Sequence, residues 1–138
     1  MLIEQALMTF LLAQDGITGY VGDRIYYVQA PQETPQPYMV ISKVDGPREH
    51  SHDGSSHLAH PRFQLSVFAS TYSDAKNCVA ALQTSLDGYT GTMGGAGGVY
   101  VGSALFDDEN DLTWVDDENS GAPGLYGVAA DYIIWHEE

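Results

Sequence analysis

Residues 62–88, RFQLSVFASTYSDAKNCVAALQTSLDG, change periodicity once, and that change constrains the fold more than any other stretch. Phe63, Leu65, Val67 and Ala69 alternate with Arg62, Gln64, Ser66 and Phe68, the period-two pattern of a strand with one well-buried face. Ala75, Cys78, Val79, Leu82 and Leu86 then recur at spacings of three and four, which places them on one side of a helix. Ser73 stands where an N-cap belongs, and Asp74 puts a negative charge in the first turn, where the helix dipole favours it. Gly88 supplies a left-handed stop after Asp87. A strand that feeds straight into an amphipathic helix needs a sheet beside it and a layer above it. Nothing in this unit performs chemistry.

The remaining chain supplies that sheet. Ile3, Ala6, Leu7, Phe10 and Leu11 form an i, i+3, i+4 stripe that predicts a helix over 2–14, ended by Gln14, Asp15 and Gly16. Leu2, Met8 and Leu12 are apolar outside that stripe, which means deep burial or a face kept for a neighbouring subunit, and burial is the expectation. Residues 25–28 and 38–44 read as strands, separated by a connector over 30–37 that Pro31, Pro35 and Pro37 keep extended. From Asp45 to Pro61 the chain is polar, with an Asp53-Gly54 turn signal near its middle. A long β-hairpin arm is the simplest geometry, and Pro61 places it at an edge. Residues 89–98 form a flexible glycine-rich connection, 99–106 a strand, and 107–124 an acidic loop. The last strand, 126–136, is apolar on both faces, so it is central or turns one face to a partner. The predicted fold class is α+β: a single domain over 1–138, with a mixed, mostly antiparallel sheet and two helices packed on one face.

Charge narrows the function classes. Nineteen Asp and Glu against five Lys and Arg give a formal net charge of −14 in 138 residues. Tight binding to nucleic-acid phosphates needs cationic side chains to displace counterions, and an anionic membrane surface has the same requirement. Both partners are disfavoured. One cysteine, Cys78, excludes an internal disulfide framework, and its place on the apolar helix side makes it a buried, inert thiol. A chain of this length buries roughly two-thirds of its unfolded surface and needs no metal to fold. The N-terminus has no basic leader, Glu4 interrupts its apolar run, and no stretch approaches a membrane span, so a cytosolic site of synthesis is expected.

His50, His52, His57 and His60 cluster beside Asp53, but their spacing matches no recognised zinc pattern and a solvated polar hairpin explains them. DDEND at 107–111 and DDENSG at 116–121 fail the calcium-loop test: position 6 is Leu112 in the first, and position 12 is Gly127 in the second. Gly94, Gly95, Gly97 and Gly98 are followed by no Lys-Ser or Lys-Thr and cradle no phosphate. Ser, His and Asp occur without a nucleophile elbow. The expectation is no enzyme, no catalytic residue, no metal and no cofactor.

Four stretches carry a resemblance over nearly the whole length: MLIEQALMTFLLAQ; VGDRIYYVQAPQETPQPYMVISKVDG; RFQLSVFASTYSDAKNCVAALQTSLDGYTGT; and LFDDENDL with the closing YGVAADYIIWHEE. In order and spacing they resemble the tail completion (tail terminator) family of long-tailed bacteriophages and related gene-transfer particles. The resemblance implies a structural virion protein at the head–tail junction, assembled in the bacterial host cytoplasm. It implies a homo-hexameric ring that caps the head-proximal end of the tail tube, ends its polymerisation and joins the tail to the head connector. Its partners would be copies of itself, the tail tube protein and a head-closure or connector protein, with DNA passing through without specific binding. The family has no residue motif for contact. The expected interface residues are therefore those of the arm (Arg48, His50, His52, Asp53, His57 and His60) and of the acidic loop (Asp107, Asp108, Glu109, Asp111, Trp114, Asp116 and Asp117). Two other classes stay open: a metal-binding enzyme or sensor on the histidine loop, and a monomeric cytosolic binding module.

Overall fold

The computed structural model of the chain describes residues 1–45, 48–51, 54–112 and 126–137, with side chains described at all of these except 45, 48–51 and 54–57. In chain order the elements are α1 (Ile3–Leu12), α2 (Asp15–Val21), β1 (Ile25–Tyr27), β2 (Tyr38–Asp45), β3 (Arg48–Ser51), β4 (Gly54–Ala59) and β5 (Arg62–Ala69). They continue as α3 (Tyr72–Leu86), β6 (Gly91–Met93), β7 (Val99–Leu112) and β8 (Tyr126–Glu137).

β8 is the centre of the sheet. Antiparallel β5 borders it on one side, from Arg62↔Ile133 to Ala69↔Tyr126, and antiparallel β7 on the other, from Val101↔His136 to Leu112↔Gly127. β2 lies outside β5, and β1 runs parallel to β2 at the edge. β6 closes the opposite edge against β7. β3 and β4 form the predicted hairpin arm. The arm prolongs the β2–β5 hairpin: after the bend at His60–Pro61, β4 still pairs with the end of β8 through Leu58↔Glu137 and Ala59↔His136. The Ile134 N–H donates to the Pro61 carbonyl at 3.0 Å, securing that bend. The fold is the mixed, mostly antiparallel α+β architecture expected.

The alternation in β5 decides which face is the core. Phe63, Leu65, Val67 and Ala69 are fully buried. Their register partners Tyr132, Ala130 and Val128 on β8, with Met39 and Ile41 on β2, complete the buried surface. The predicted helical stripes meet it: Ile3, Ala6, Leu7, Phe10 and Leu11 of α1, and Ala75, Cys78, Val79, Leu82 and Leu86 of α3, are all buried in the same cluster. Phe10 packs on Tyr89 with ring centroids 4.6 Å apart, and Phe106 meets Tyr132 edge-on at 5.7 Å.

Several sequence expectations need correction. The chain has a third helix, α2, where Asp15 and Gly16 were expected only to end the first. Its seven residues, DGITGYV, include two glycines and have low helix propensity. Burial of Ile17 and Val21 in the common core compensates. Leu2 and Leu12 stay exposed, at 64% and 41%, because they lie off the stripe that faces the sheet, whereas Met8 does pack against the core. The cap of α3 is Thr71 instead of Ser73; its hydroxyl accepts from the Asp74 N–H at 3.2 Å. Gly88 does adopt the left-handed conformation (φ 80°). The glycine-rich connection contains β6, and its return turn is tight: a Cβ on Gly98 would fall 2.0 Å from the Met93 carbonyl oxygen. β7 runs to Leu112, so residues 107–112 are strand and not loop.

The Tyr132 hydroxyl is buried without a hydrogen-bond partner among the described residues. Leaving a polar group unpaired in the core costs about 1–3 kcal/mol. Tyr132→Phe keeps the ring contact with Phe106 and removes the orphan oxygen. The variant is expected to be at least as stable as the parent, by up to about 1 kcal/mol in urea denaturation.

Candidate interaction surface

The second face of the sheet is built from the residues that alternate with the core. β5 places Arg62, Gln64, Ser66 and Phe68 there, and β2 places Tyr38, Val40 and Ser42 beside them. β8 adds Ala129, Asp131, Ile133 and Trp135, and β7 adds Leu105, Asp108, Asn110 and Leu112. The described helices all pack into the core on the other face. Tyr38 stacks on Phe68 at 5.1 Å, and His60 stacks on Trp135 at 4.2 Å. Leu105 is 46% exposed, and Ile133 and Trp135 are half-buried. A shallow groove of about 300 Å³, lined by Leu58, Tyr100, Ser103 and Trp135 among others, opens at the β8 end of this region.

Charge on this face is concentrated at one spot. A register shift after Phe106 sets both Asp107 and Asp108 against Asp131. Arg62 bonds to the Asp107 carboxylate and lies 3.6 Å from Asp131 Oδ2. Asp108 accepts from the Glu109 N–H at 2.9 Å and from Asn110 Nδ2 at 3.1 Å. Asp131 Oδ1 is buried without a partner among the described residues, in a side chain only 14% exposed. The Asp107 carboxylate, through its hydrogen bond, holds the Arg62 guanidinium above its ordinary pKa.

The same strand sends its other acidic residues to the opposite face. Lys76 of α3 pairs with Glu109, and the Tyr72 hydroxyl donates to Asp111 at 2.9 and 3.1 Å. These hydrogen bonds push the lysine and the phenol above their usual pKa values. The predicted acidic loop is thus split by strand alternation: Asp108 faces outward, while Glu109 and Asp111 fasten the helix.

Lys43 pairs with Glu4 at 2.6 Å beside a cleft of about 490 Å³ that His136 and Glu137 also line. Burial raises the Glu4 pKa, but the Lys43 hydrogen bond, with a backbone hydrogen bond and the charges of Lys43 and His136, brings it below the usual carboxylate value. Arg24 donates to the carbonyls of Pro37 (2.9 Å) and Tyr20 (3.4 Å). Every cationic side chain that the structure describes is therefore engaged within the chain. Among the described residues no three His, Cys, Asp or Glu are arranged to hold a metal ion.

Of the predicted interface residues, Asp107, Asp108, Glu109 and Asp111 lie on β7, and His60 lies beside Trp135. Arg48 and His50 are on β3 and His57 is on β4 by backbone position. His52, Asp53, Trp114, Asp116 and Asp117 lie outside the described residues. Sequence reasoning missed Arg62 and Asp131. A signal was available: Asp131 is the only charged residue in YGVAADYIIW, at a position that strand alternation sends away from the core.

Among the described residues, one face of the sheet carries no helix. The sequence profile of the family described as tail completion protein gp17 matches residues 5–137. The chain belongs to that family and is a structural protein of the virion tail, not an enzyme. Among solved structures it is similar to a chain of the virion of a native gene transfer agent particle. That match has a TM-score of 0.75 and 17% identity, covering 97% of this chain and 94% of the other. No curated protein sequence matches it.

Proposed function

We propose that the chain, as a single domain, forms a homo-hexameric ring on the head-proximal end of the tail tube. The ring ends tube polymerisation and joins the tail to the head connector. The observation that carries this reading is the sheet face that no described helix covers, where half-buried Ile133, Trp135 and Phe68 surround a charged cluster. Such a face is suited to burial against other chains. Contacts in a ring of identical subunits are heterologous, one surface meeting a different one. The β3–β4 arm, carried beyond the β2–β5 hairpin, is the element that reaches the neighbouring copy. The net charge of −14 suits a channel through which DNA slides without sticking.

Light scattering or native mass spectrometry over a concentration series tests the ring. A species six times the chain mass is expected, alone or once tail tube protein is added. A monomer under every condition, tube protein included, would sink the proposal. For the channel, neutralising Asp116 and Asp117 together is expected to slow DNA delivery. Unchanged delivery would remove the acidic residues from the channel wall.

A further inference from the structure

We propose that the sheet face around Asp131, which no described helix covers, docks a polypeptide other than this chain, one that inserts a lysine or arginine beside Asp131 and Asp108. The inference rests on the ring reading, because it assigns this face to a partner of the ring and leaves contacts between copies to the arm.

Three observations lead to it. First, Asp107 and Asp131 share one cation, Arg62, whose bond is to Asp107. Asp108 and Asp131 stand directly opposite each other in the β7–β8 ladder, and like charges facing across a strand pair destabilise it. Second, Asp131 Oδ1 is buried and unpartnered among the described residues, a position that a donor from outside would complete. Third, Arg24, Lys43, Arg62 and Lys76 are each engaged within the chain. A second copy, whose net charge is −14, would bring mainly negative charge to this face. Charge complementarity selects a basic partner. The three carboxylates are not arranged to hold a metal ion, and nucleic acid would be repelled by them.

The apolar surroundings define the partner further. Trp135 and the groove beside it lie four residues along β8 from Asp131 on the same face, about 13 Å away at the rise of a strand. A segment lying along β8 would thus place its cation over Asp131 and an apolar anchor by Trp135.

The experiment uses the full chain with two probes, the particle's purified tail tube protein and its purified head-connector protein. Asp131→Asn and Asp108→Asn are compared with the parent, with Asp23→Asn as an exposed control. Both sheet-face variants are expected to keep the parental oligomeric mass and to unfold at the same or higher urea, since each removes one of two facing carboxylates. Both are expected to bind one of the probes at least about 10-fold more weakly, with Asp23→Asn unchanged. Unchanged binding of both probes would overturn this assignment alone. Loss of the parental oligomer would overturn it too, because the face would then be covered by a second copy. A parental protein that binds neither probe would overturn the ring reading and this one together.

Discussion

Phe63→Ala is expected to cost about 3–5 kcal/mol and to lower the thermal midpoint by about 10 °C or more. Phe63 is fully buried at the first inward position of β5, in register with Tyr132 of β8 and Lys43 of β2. Truncation removes the ring from the core and leaves a void between strands whose positions are fixed by ladders on both sides of β5. The sheet can relax little into that space, so the cavity cost adds to the lost burial. Lys43 loses a contact as well, since its ammonium lies 5.7 Å from the Phe63 ring centroid. Gln64→Ala, one residue along and on the other face, is expected to change stability by less than about 0.5 kcal/mol. Urea denaturation of the two variants reads the strand alternation directly. Similar losses in both would mean that the register assigned to β5 is wrong.

How legible the fold was can be judged from such residues. The inward sets of β5, α1 and α3 follow from periodicity alone, because one buried face imposes a period of two on a strand and about 3.6 on a helix. α2 was not legible: two glycines in seven residues give no local reason for a helix, and tertiary burial of Ile17 and Val21 supplies it. The same holds for β6, a three-residue strand in a glycine-rich stretch that forms because β7 offers it a ladder. An acidic run reads as loop, so the sequence pattern ends β7 at Phe106, whereas the strand runs to Leu112. Strand pairing with β8 overrides that composition, and Lys76, Tyr72 and Arg62 neutralise or bind part of the charge.

Legibility of the candidate surface has the same limit. That β8 is apolar on both faces could be read from Ala129, Ile133 and Trp135, and the family from the order of its segments. Which acidic residues point together could not, since the shift at Asp107–Asp108 sets the alternation and sequence does not encode it visibly. Arg62 likewise reads as a strand-end residue until β7 brings Asp107 to it.

Raising the pH from 9 toward 12 is expected to remove on the order of 4 kcal/mol of stability through Cys78 alone. Burial in α3 raises the thiol from its ordinary 9.0 to about 12. Between those values the unfolded chain releases its thiol proton while the folded chain retains it. The unfolded state then binds fewer protons, so stability falls as pH rises, by about 1.4 kcal/mol per unit, and is unaffected below the ordinary value. Tyr132 acts in the same direction from its ordinary 10.0 upward. Burial, then the charges of Asp87 and Glu109, raise its phenol, so the decline steepens above that pH. Urea midpoints measured at half-unit steps from pH 8 to pH 10.5 give the slope. Cys78→Ala loses packing at every pH but is expected to decline much less steeply than the parent between pH 9 and pH 10, where the thiol contributes most. Tyr132→Phe is expected to follow the parent there and to depart from it above pH 10. Alkylation by iodoacetamide should track the same equilibrium, with the native thiol unreactive until the chain opens. A midpoint that holds level to pH 10.5, or a thiol modified in the folded protein at the rate of a free cysteine, would place Cys78 outside the core.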